Sequence, residues 1–68
     1  MKRLTKQFGK RVKVYRMRKR WSQEVTAKKT GVTREYIARL ELGLHDPSLT
    51  TVAKLARAFK VRIATLIG

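Results

Sequence analysis

Apolar residues in this chain recur at helical spacing, in short segments separated by helix-capping residues and glycines. Phe8, Val12 and Tyr15 form one such stripe, and the residues after Ser48 repeat in the same way. A spacing of three or four residues places side chains on one face of an α-helix, and no stretch alternates long enough for a convincing β-strand. Short helices in a 68-residue chain can bury these stripes only against one another. The pattern therefore predicts a compact all-α domain of five helices.

Capping residues and glycines set the bounds of the predicted helices. Residues that commonly cap helix N-termini precede four of the segments: Thr5, Ser22, Thr33 and Ser48. Gly31 and Gly43 are placed to end two of them. The predicted helices cover about residues 6–19, 23–29, 34–42, 49–59 and 63–67. We expect residues 1–7 to form a basic N-terminal segment that frays, and residues 8–68 to form the domain.

Charge is the most unusual property of the sequence. Eighteen Lys and Arg residues oppose four Asp and Glu residues, which gives a formal net charge of +14. More than half of the cations lie within residues 2–20. A field of this sign attracts nucleic acid and, less often, an anionic membrane surface. The composition thus favours a polyanion as the partner.

Residues that carry enzymatic or metal chemistry are scarce. Cysteine is absent, there is one histidine, and the four acidic residues are separated along the chain. This is a poor set for a metal site or for acid–base catalysis, so we expect no catalytic residues, no cofactor and no metal. No apolar run could cross a membrane, and none follows the basic N-terminus as a secretory signal requires. We expect a cytoplasmic, nucleoid-associated protein with no membrane partner and no small-molecule ligand.

The second and third predicted helices are short and are joined by a turn that contains Gly31, which is the pattern of a helix-turn-helix. Gly31 can adopt the positive φ that a tight turn requires, and Ala27 is small enough for the two helices to cross closely. Over roughly residues 8–67, the chain resembles the phage repressor and Cro-like regulators. The motif residues that carry this likeness are Gln23, Ala27, Gly31, Ile37 and Leu40. The resemblance implies a repressor-like five-helix fold and a DNA-binding transcriptional regulator.

Helical spacing divides the third predicted helix into two faces. Ile37 and Leu40 share the face that turns toward the core. The outward face, which in a recognition helix enters the major groove, carries Arg34, Glu35 and Arg39. We expect these three side chains to contact bases, since arginine binds guanine O6 and N7 and glutamate accepts from cytosine N4. Two alternatives stay open, namely solvated arginines and an intrahelical ion pair between Glu35 and Arg39.

The resemblance assigns roles to further residues. Gln23 matches the phosphate-binding glutamine of the family, and the alternative is an ordinary exposed side chain. Contacts with the DNA backbone are expected from Gln23, Thr33, Tyr36 and Gly43. Tyr36 lies at the flank of the third helix and is as well placed to pack or to contact a phosphate as to meet a thymine methyl group. Arg16 and Glu41 match positions that, in some members of the family, form an ion pair between the first helix and the end of the third.

Four positions depart from the family pattern, and one of them is Val25, which stands at a usually polar position. Thr26 stands where the family usually has a core leucine, so either the helix is slightly rotated or the hydroxyl bonds back to a carbonyl. Arg20 and Lys60 stand where helix-ending glycines are common. If these two residues are left-handed, each costs about 1 kcal/mol of stability.

The leading interpretation is a sequence-specific regulator that binds double-stranded DNA with the helix at about residues 34–42. A palindromic operator requires two recognition helices about 34 Å apart, so we expect a homodimer on DNA, with the last two helices as the available surface. The alternative is a basic protein that binds DNA or RNA without sequence preference. A membrane-active cationic peptide is a third class, although a folded unit with capped turns is an odd design for that role.

Overall fold

The computed structural model describes residues 2–68, and their side chains from Thr5 onward. Five helices make up this part of the chain: α1 (Lys2–Arg18), α2 (Gln23–Thr30), α3 (Arg34–Glu41), α4 (Leu49–Phe59) and α5 (Ile63–Ile67). No strand occurs among the described residues, so the predicted all-α fold is confirmed. The bounds of the last four helices agree with the predicted ones to within one residue at each end.

The first helix is longer than predicted. It begins at Lys2 rather than near residue 6, so the segment expected to fray is helical from Lys2 onward, while Met1 lies outside the described residues. The prediction that Thr5 caps this helix is wrong, because Thr5 lies inside α1 and is buried. Its hydroxyl donates to a carboxylate oxygen of Asp46, in the segment before α4. This contact ties the first turns of α1 to the body of the protein.

The other three predicted N-caps are confirmed. Ser22, Thr33 and Ser48 each accept a hydrogen bond through the side-chain oxygen from the backbone N–H three residues later, at 3.0–3.1 Å. Each bond satisfies one of the N–H groups that have no partner within the helix. Gly31 ends α2 with a φ of 81°, as its position in the turn predicted. The capping pattern therefore defines the helix-turn-helix locally.

The core collects the apolar stripes of all five helices. Its fully or nearly buried members are Phe8, Val12, Ala27, Ile37, Leu40, Val52, Leu55, Ala56, Phe59 and Leu66. Two larger aromatic residues close it, as the sequence predicted. The rings of Tyr15 and Trp21 lie 6.0 Å and 5.8 Å from that of Phe59, measured between centroids. Both rings therefore pack against the core.

Thr26 is fully buried, where the family usually places leucine. Its hydroxyl donates to the Ser22 carbonyl oxygen at 2.9 Å, so no buried polar atom is left without a partner. Of the two explanations considered for this residue, the structure shows the bond back to a carbonyl. Neighbouring Val25, at a position that is usually polar in the family, is exposed.

Three helices end in the same way, although only one of them ends at a glycine. In α1, α3 and α4 the chain leaves through a left-handed residue, namely Arg20 (φ 61°), Gly43 (φ 73°) and Lys60 (φ 60°). In each case the following N–H reaches back to a carbonyl five residues earlier, at 2.9–3.0 Å. This hydrogen-bond pattern is the Schellman motif. Arg20 and Lys60 thus carry a Cβ where the family commonly has none.

Replacement of Lys60 by glycine is expected to raise the free energy of unfolding by about 1 kcal/mol. A left-handed residue with a Cβ costs about 1–2 kcal/mol, and glycine removes this cost. Part of the gain is cancelled because glycine loses more backbone entropy on folding. Arg20→Gly should act in the same direction. Urea denaturation followed by circular dichroism measures both. Lys60→Ala is the matched control, since it removes the same charge and keeps the Cβ. Equal stabilisation by glycine and alanine would assign the effect to charge and contradict the backbone argument.

The close approach of α1 to α3 depends on Gly9, which is buried in the middle of α1. A Cβ placed on Gly9 would overlap the Leu40 carbonyl oxygen and lie 3.1 Å from that of Glu41. Both obstacles are backbone atoms at the C-terminal end of α3, so they cannot rotate away as a side chain would. Gly9 therefore sets how deeply α3 seats against the rest of the protein.

Candidate nucleic-acid interface

The outer face of α3 is an array of charged side chains that have no partner among the residues whose side chains are described. Arg34, Glu35 and Arg39 are all exposed, while Ile37 and Leu40 on the other face are fully buried. No hydrogen bond or ion pair joins Glu35 to Arg39 within the described part of the chain. The guanidinium and carboxylate groups are thus available to an external ligand such as the edges of DNA bases.

An ion pair lies directly behind this face, at the C-terminal end of α3. Arg16 Nε donates to Glu41 Oε2 at 2.6 Å, and Arg16 Nη2 donates to Glu41 Oε1 at 3.1 Å. The side chains are 13% and 5% exposed respectively, so water screens the pair poorly. Arg16 Nη1 donates in addition to the Trp21 carbonyl oxygen at 2.9 Å. One arginine of α1 thus holds both the end of α3 and the turn that leads into α2.

Gln23, the first residue of α2, is part of the same cluster. Its Nε2 donates to Glu41 Oε1 at 3.1 Å, and the side chain is half-buried. The alternative of an ordinary exposed glutamine is therefore not what the structure shows. The sequence had no signal for this contact, because the two residues meet only when α2 crosses α3. Glu41 restrains the side chain that the family resemblance assigned to a phosphate.

The remaining residues expected at the DNA backbone occupy the two ends of α3. Thr33 is exposed at the N-terminal end, where its oxygen already accepts from the Tyr36 N–H. The Tyr36 ring packs 5.7 Å from that of His45, and its hydroxyl lies 3.5 Å from the Thr51 hydroxyl. At the C-terminal end, the Gly43 N–H donates to the Leu40 carbonyl oxygen at 3.0 Å. Tyr36 is thus held by packing, and the Gly43 amide is used within the protein.

The described residues contain neither a candidate metal site nor a candidate membrane-spanning helix. No group of three or more His, Cys, Asp or Glu side chains there could hold a metal ion. Within the same part of the chain, no helix has the length and apolar character needed to cross a bilayer.

A family model described as helix-turn-helix matches residues 12–66 of the chain. This chain belongs to the helix-turn-helix family of DNA-binding transcriptional regulators. The matched span contains all of α2, α3 and α4, and it includes both members of the Arg16–Glu41 pair. The family that the residue pattern resembled is confirmed.

Relatives of known sequence agree with this assignment. An uncharacterized HTH-type transcriptional regulator of Archaeoglobus fulgidus is 45% identical over 56 residues, which is 82% of this chain and 80% of that protein. The immunity repressor protein of Bacillus phage phi105 is 30% identical across 88% of this chain, which corresponds to 42% of the repressor. The helix-turn-helix unit thus makes up less than half of that larger phage protein.

A solved structure of nearly the same size has the same fold. The restriction-modification controller protein C.AhdI from Aeromonas hydrophila superposes with a TM-score of 0.87 at 34% identity. The match covers 91% of this chain and 94% of C.AhdI. The five-helix arrangement described above is therefore that of a known regulator fold over almost its whole length.

Proposed function

We propose that the chain acts as a repressor-like regulator and not as an enzyme, and that it reads a palindromic operator by inserting α3 into the major groove. The single observation that carries this proposal is the unpartnered set of Arg34, Glu35 and Arg39 on the outer face of a helix whose inner face is fully buried. Side chains in this position on a docked recognition helix reach base edges. DNA as the partner implies a cytoplasmic, nucleoid-associated location.

Contacts with the DNA backbone would orient α3 in the groove. We assign them to Gln23, Thr33, Tyr36 and Gly43. Gln23 lies at the N-terminus of α2, where free N–H groups and the helix dipole favour a phosphate. Glu41 fixes one amide proton of Gln23, which leaves the second proton for that phosphate. Gly43 packs against Lys6, whose Cγ would lie 3.0 Å from a Cβ placed on the glycine, so a phosphate beside Gly43 would also meet this lysine.

A homodimer on DNA follows from the proposed palindrome, and one surface of the protein suits it. A groove of about 420 Å³ lies between α1, α4 and α5, and it is lined by Thr5, Phe8, Asp46, Pro47, Leu49, Val52 and Ile67. Among the residues whose side chains are described, no cation lines this groove, although the chain as a whole carries a formal charge of +14. Leu49 is 74% exposed beside it. Two copies that met at these residues would bury apolar area at a surface where no described cation opposes the contact.

The test begins with selection of bound sequences from a random DNA pool at near-physiological salt. Two inverted half-sites, spaced about one helical turn between centres, are expected for a dimer. On the selected site, Arg39→Ala should cost about 1–3 kcal/mol and flatten the preference at one base pair, expected to be a guanine. The measurement compares the selected site with scrambled DNA at two salt concentrations.

Lys10→Ala is the control, since it removes one exposed charge from α1, outside the recognition helix. It should at most weaken binding to all sequences alike and reduce the salt slope by about one. Electrostatics alone predicts the same behaviour for both variants. If Arg39→Ala lowers affinity for selected and scrambled DNA by equal factors, direct readout is wrong and binding without sequence preference becomes the better account.

A further inference from the structure

A second basic surface lies outside the outer face of α3. A groove of about 490 Å³ runs between the end of α2 and one side of α4, and its lining residues are Lys29, Thr30, Thr50, Ala53, Lys54, Arg57 and Ala58. Three of these lining residues are cations and two are alanines. We call this surface the α2–α4 groove.

The cations of this groove are not neutralised within the protein. Lys54 and Arg57 are exposed and make no ion pair or hydrogen bond within the described residues. No acidic residue follows Asp46, so neither α4 nor α5 contains one. The Lys29 ammonium group lies over the Trp21 ring, 5.0 Å from its centre. This cation–π contact keeps the Lys29 side chain at the edge of the groove. Cations gathered around one concave surface repel one another, and an external anion removes that cost.

The α2–α4 groove begins beside the candidate DNA interface. Thr50 lies in the first turn of α4, next to Thr51, whose hydroxyl is 3.5 Å from the Tyr36 hydroxyl in the first turn of α3. From Thr50 to Arg57 the groove follows α4 for seven residues, or about 10 Å at 1.5 Å per residue. One DNA strand passes a phosphate about every 3.4 Å along the duplex axis, so a groove aligned with that axis would span about three phosphates.

We propose that the α2–α4 groove binds the phosphodiester backbone of the operator duplex where it continues beyond each half-site. This inference rests on the proposed function, because α3 must first place the duplex beside α4. Lys54 and Arg57 neutralise two phosphates of the flanking DNA, and Thr50 donates a hydrogen bond at the end nearer to α3. The groove adds affinity and salt dependence without reading sequence.

The experiment compares the double variant Lys54→Gln/Arg57→Gln with a matched control, Lys10→Gln/Lys13→Gln, which removes two exposed charges from α1. Each protein is titrated over a range of salt with two forms of the selected site. The short duplex ends at the outer base pairs of the half-sites, and the long duplex continues for about ten base pairs on each side. Circular dichroism melting verifies that every variant is folded.

On the long duplex, the groove variant should reduce the slope of log K against log salt by about two per protomer, at about 0.9 for each lost phosphate contact. On the short duplex, its slope should equal that of the unaltered protein. The charge-preserving variant Lys54→Arg/Arg57→Lys should keep the full slope on both. An equal loss from the α1 control on the long duplex, or no loss from the groove variant, overturns the proposal.

Two further outcomes separate this inference from its neighbours. If the groove variant loses the same slope on both duplexes and the unaltered protein joins two duplexes in one complex, the groove binds a second DNA molecule and the proposal of flanking contacts is wrong. A long duplex of random sequence serves as the third probe. If the protein shows no base preference but the groove variant still reduces the salt slope on this probe, the proposal of operator reading is wrong. The proposed contact between the groove and the DNA backbone is then supported independently.

Discussion

Gly9→Ala is expected to lower the free energy of unfolding by at least about 2 kcal/mol, although alanine normally stabilises a helix interior by about 0.5–1 kcal/mol relative to glycine. The added Cβ would overlap the carbonyl oxygen of Leu40 and crowd that of Glu41. Relief requires α1 and α3 to separate along their whole contact, which would loosen the buried packing of Phe8 and Val12. The total free energy of unfolding of a domain of this length is roughly 3–10 kcal/mol, so this loss would remove a large fraction of it and lower the melting temperature measurably.

Thermal and urea unfolding followed by circular dichroism measure this effect. Gln7→Ala is the control, because Gln7 lies two residues earlier in α1 and is exposed. That substitution should change stability by less than about 0.5 kcal/mol. A Gly9→Ala protein that is as stable as the original would show that α1 and α3 do not meet as closely as described. The sign of the change in the free energy of unfolding distinguishes the two effects, since helix propensity predicts an increase and the close packing at Gly9 predicts a decrease.

Local features of the fold could be predicted from the sequence, and features that depend on distances between helices could not. Ser22, Thr33 and Ser48 were predicted to be N-caps because a capping bond involves only residues three apart. Gly9 gave a weaker signal, since an isolated glycine in a helical pattern shows that something is unusual there but not which atom approaches it. The start of α1 was missed for the same reason, because Thr5 looks like a cap until Asp46 is brought beside it.

The same division applies to the candidate site. The outward direction of Arg34, Glu35 and Arg39 follows from helical spacing once Ile37 and Leu40 are assigned to the core. The side-chain bond from Gln23 to Glu41 could not be predicted, since it depends on how α2 crosses α3. The α2–α4 groove also escaped prediction, because its walls come from two helices that are distant in sequence. Which bases are read stays a prediction.

Glu41→Ala is expected to destabilise the protein by about 3–5 kcal/mol, far more than Glu24→Ala. The Glu41 carboxylate accepts three hydrogen bonds, two from Arg16 at 2.6 Å and 3.1 Å and one from Gln23 at 3.1 Å. Its removal leaves the Arg16 guanidinium nearly buried with only the Trp21 carbonyl oxygen as a partner. Glu24 is exposed in the first turn of α2, where its favourable interaction with the helix dipole is worth about 0.3–1 kcal/mol.

A double-mutant cycle with Arg16→Met separates the ion pair from the general cost of altering a packed region. Removing both charges avoids the uncompensated arginine, so the double variant should lose less stability than the sum of the single losses, by at least about 0.5 kcal/mol. Urea unfolding of the four proteins at one salt concentration gives this coupling. Strictly additive losses would mean that Arg16 and Glu41 do not stabilise each other. In that case the close packing at Gly9, and not the ion pair, would be what keeps the end of α3 against α1.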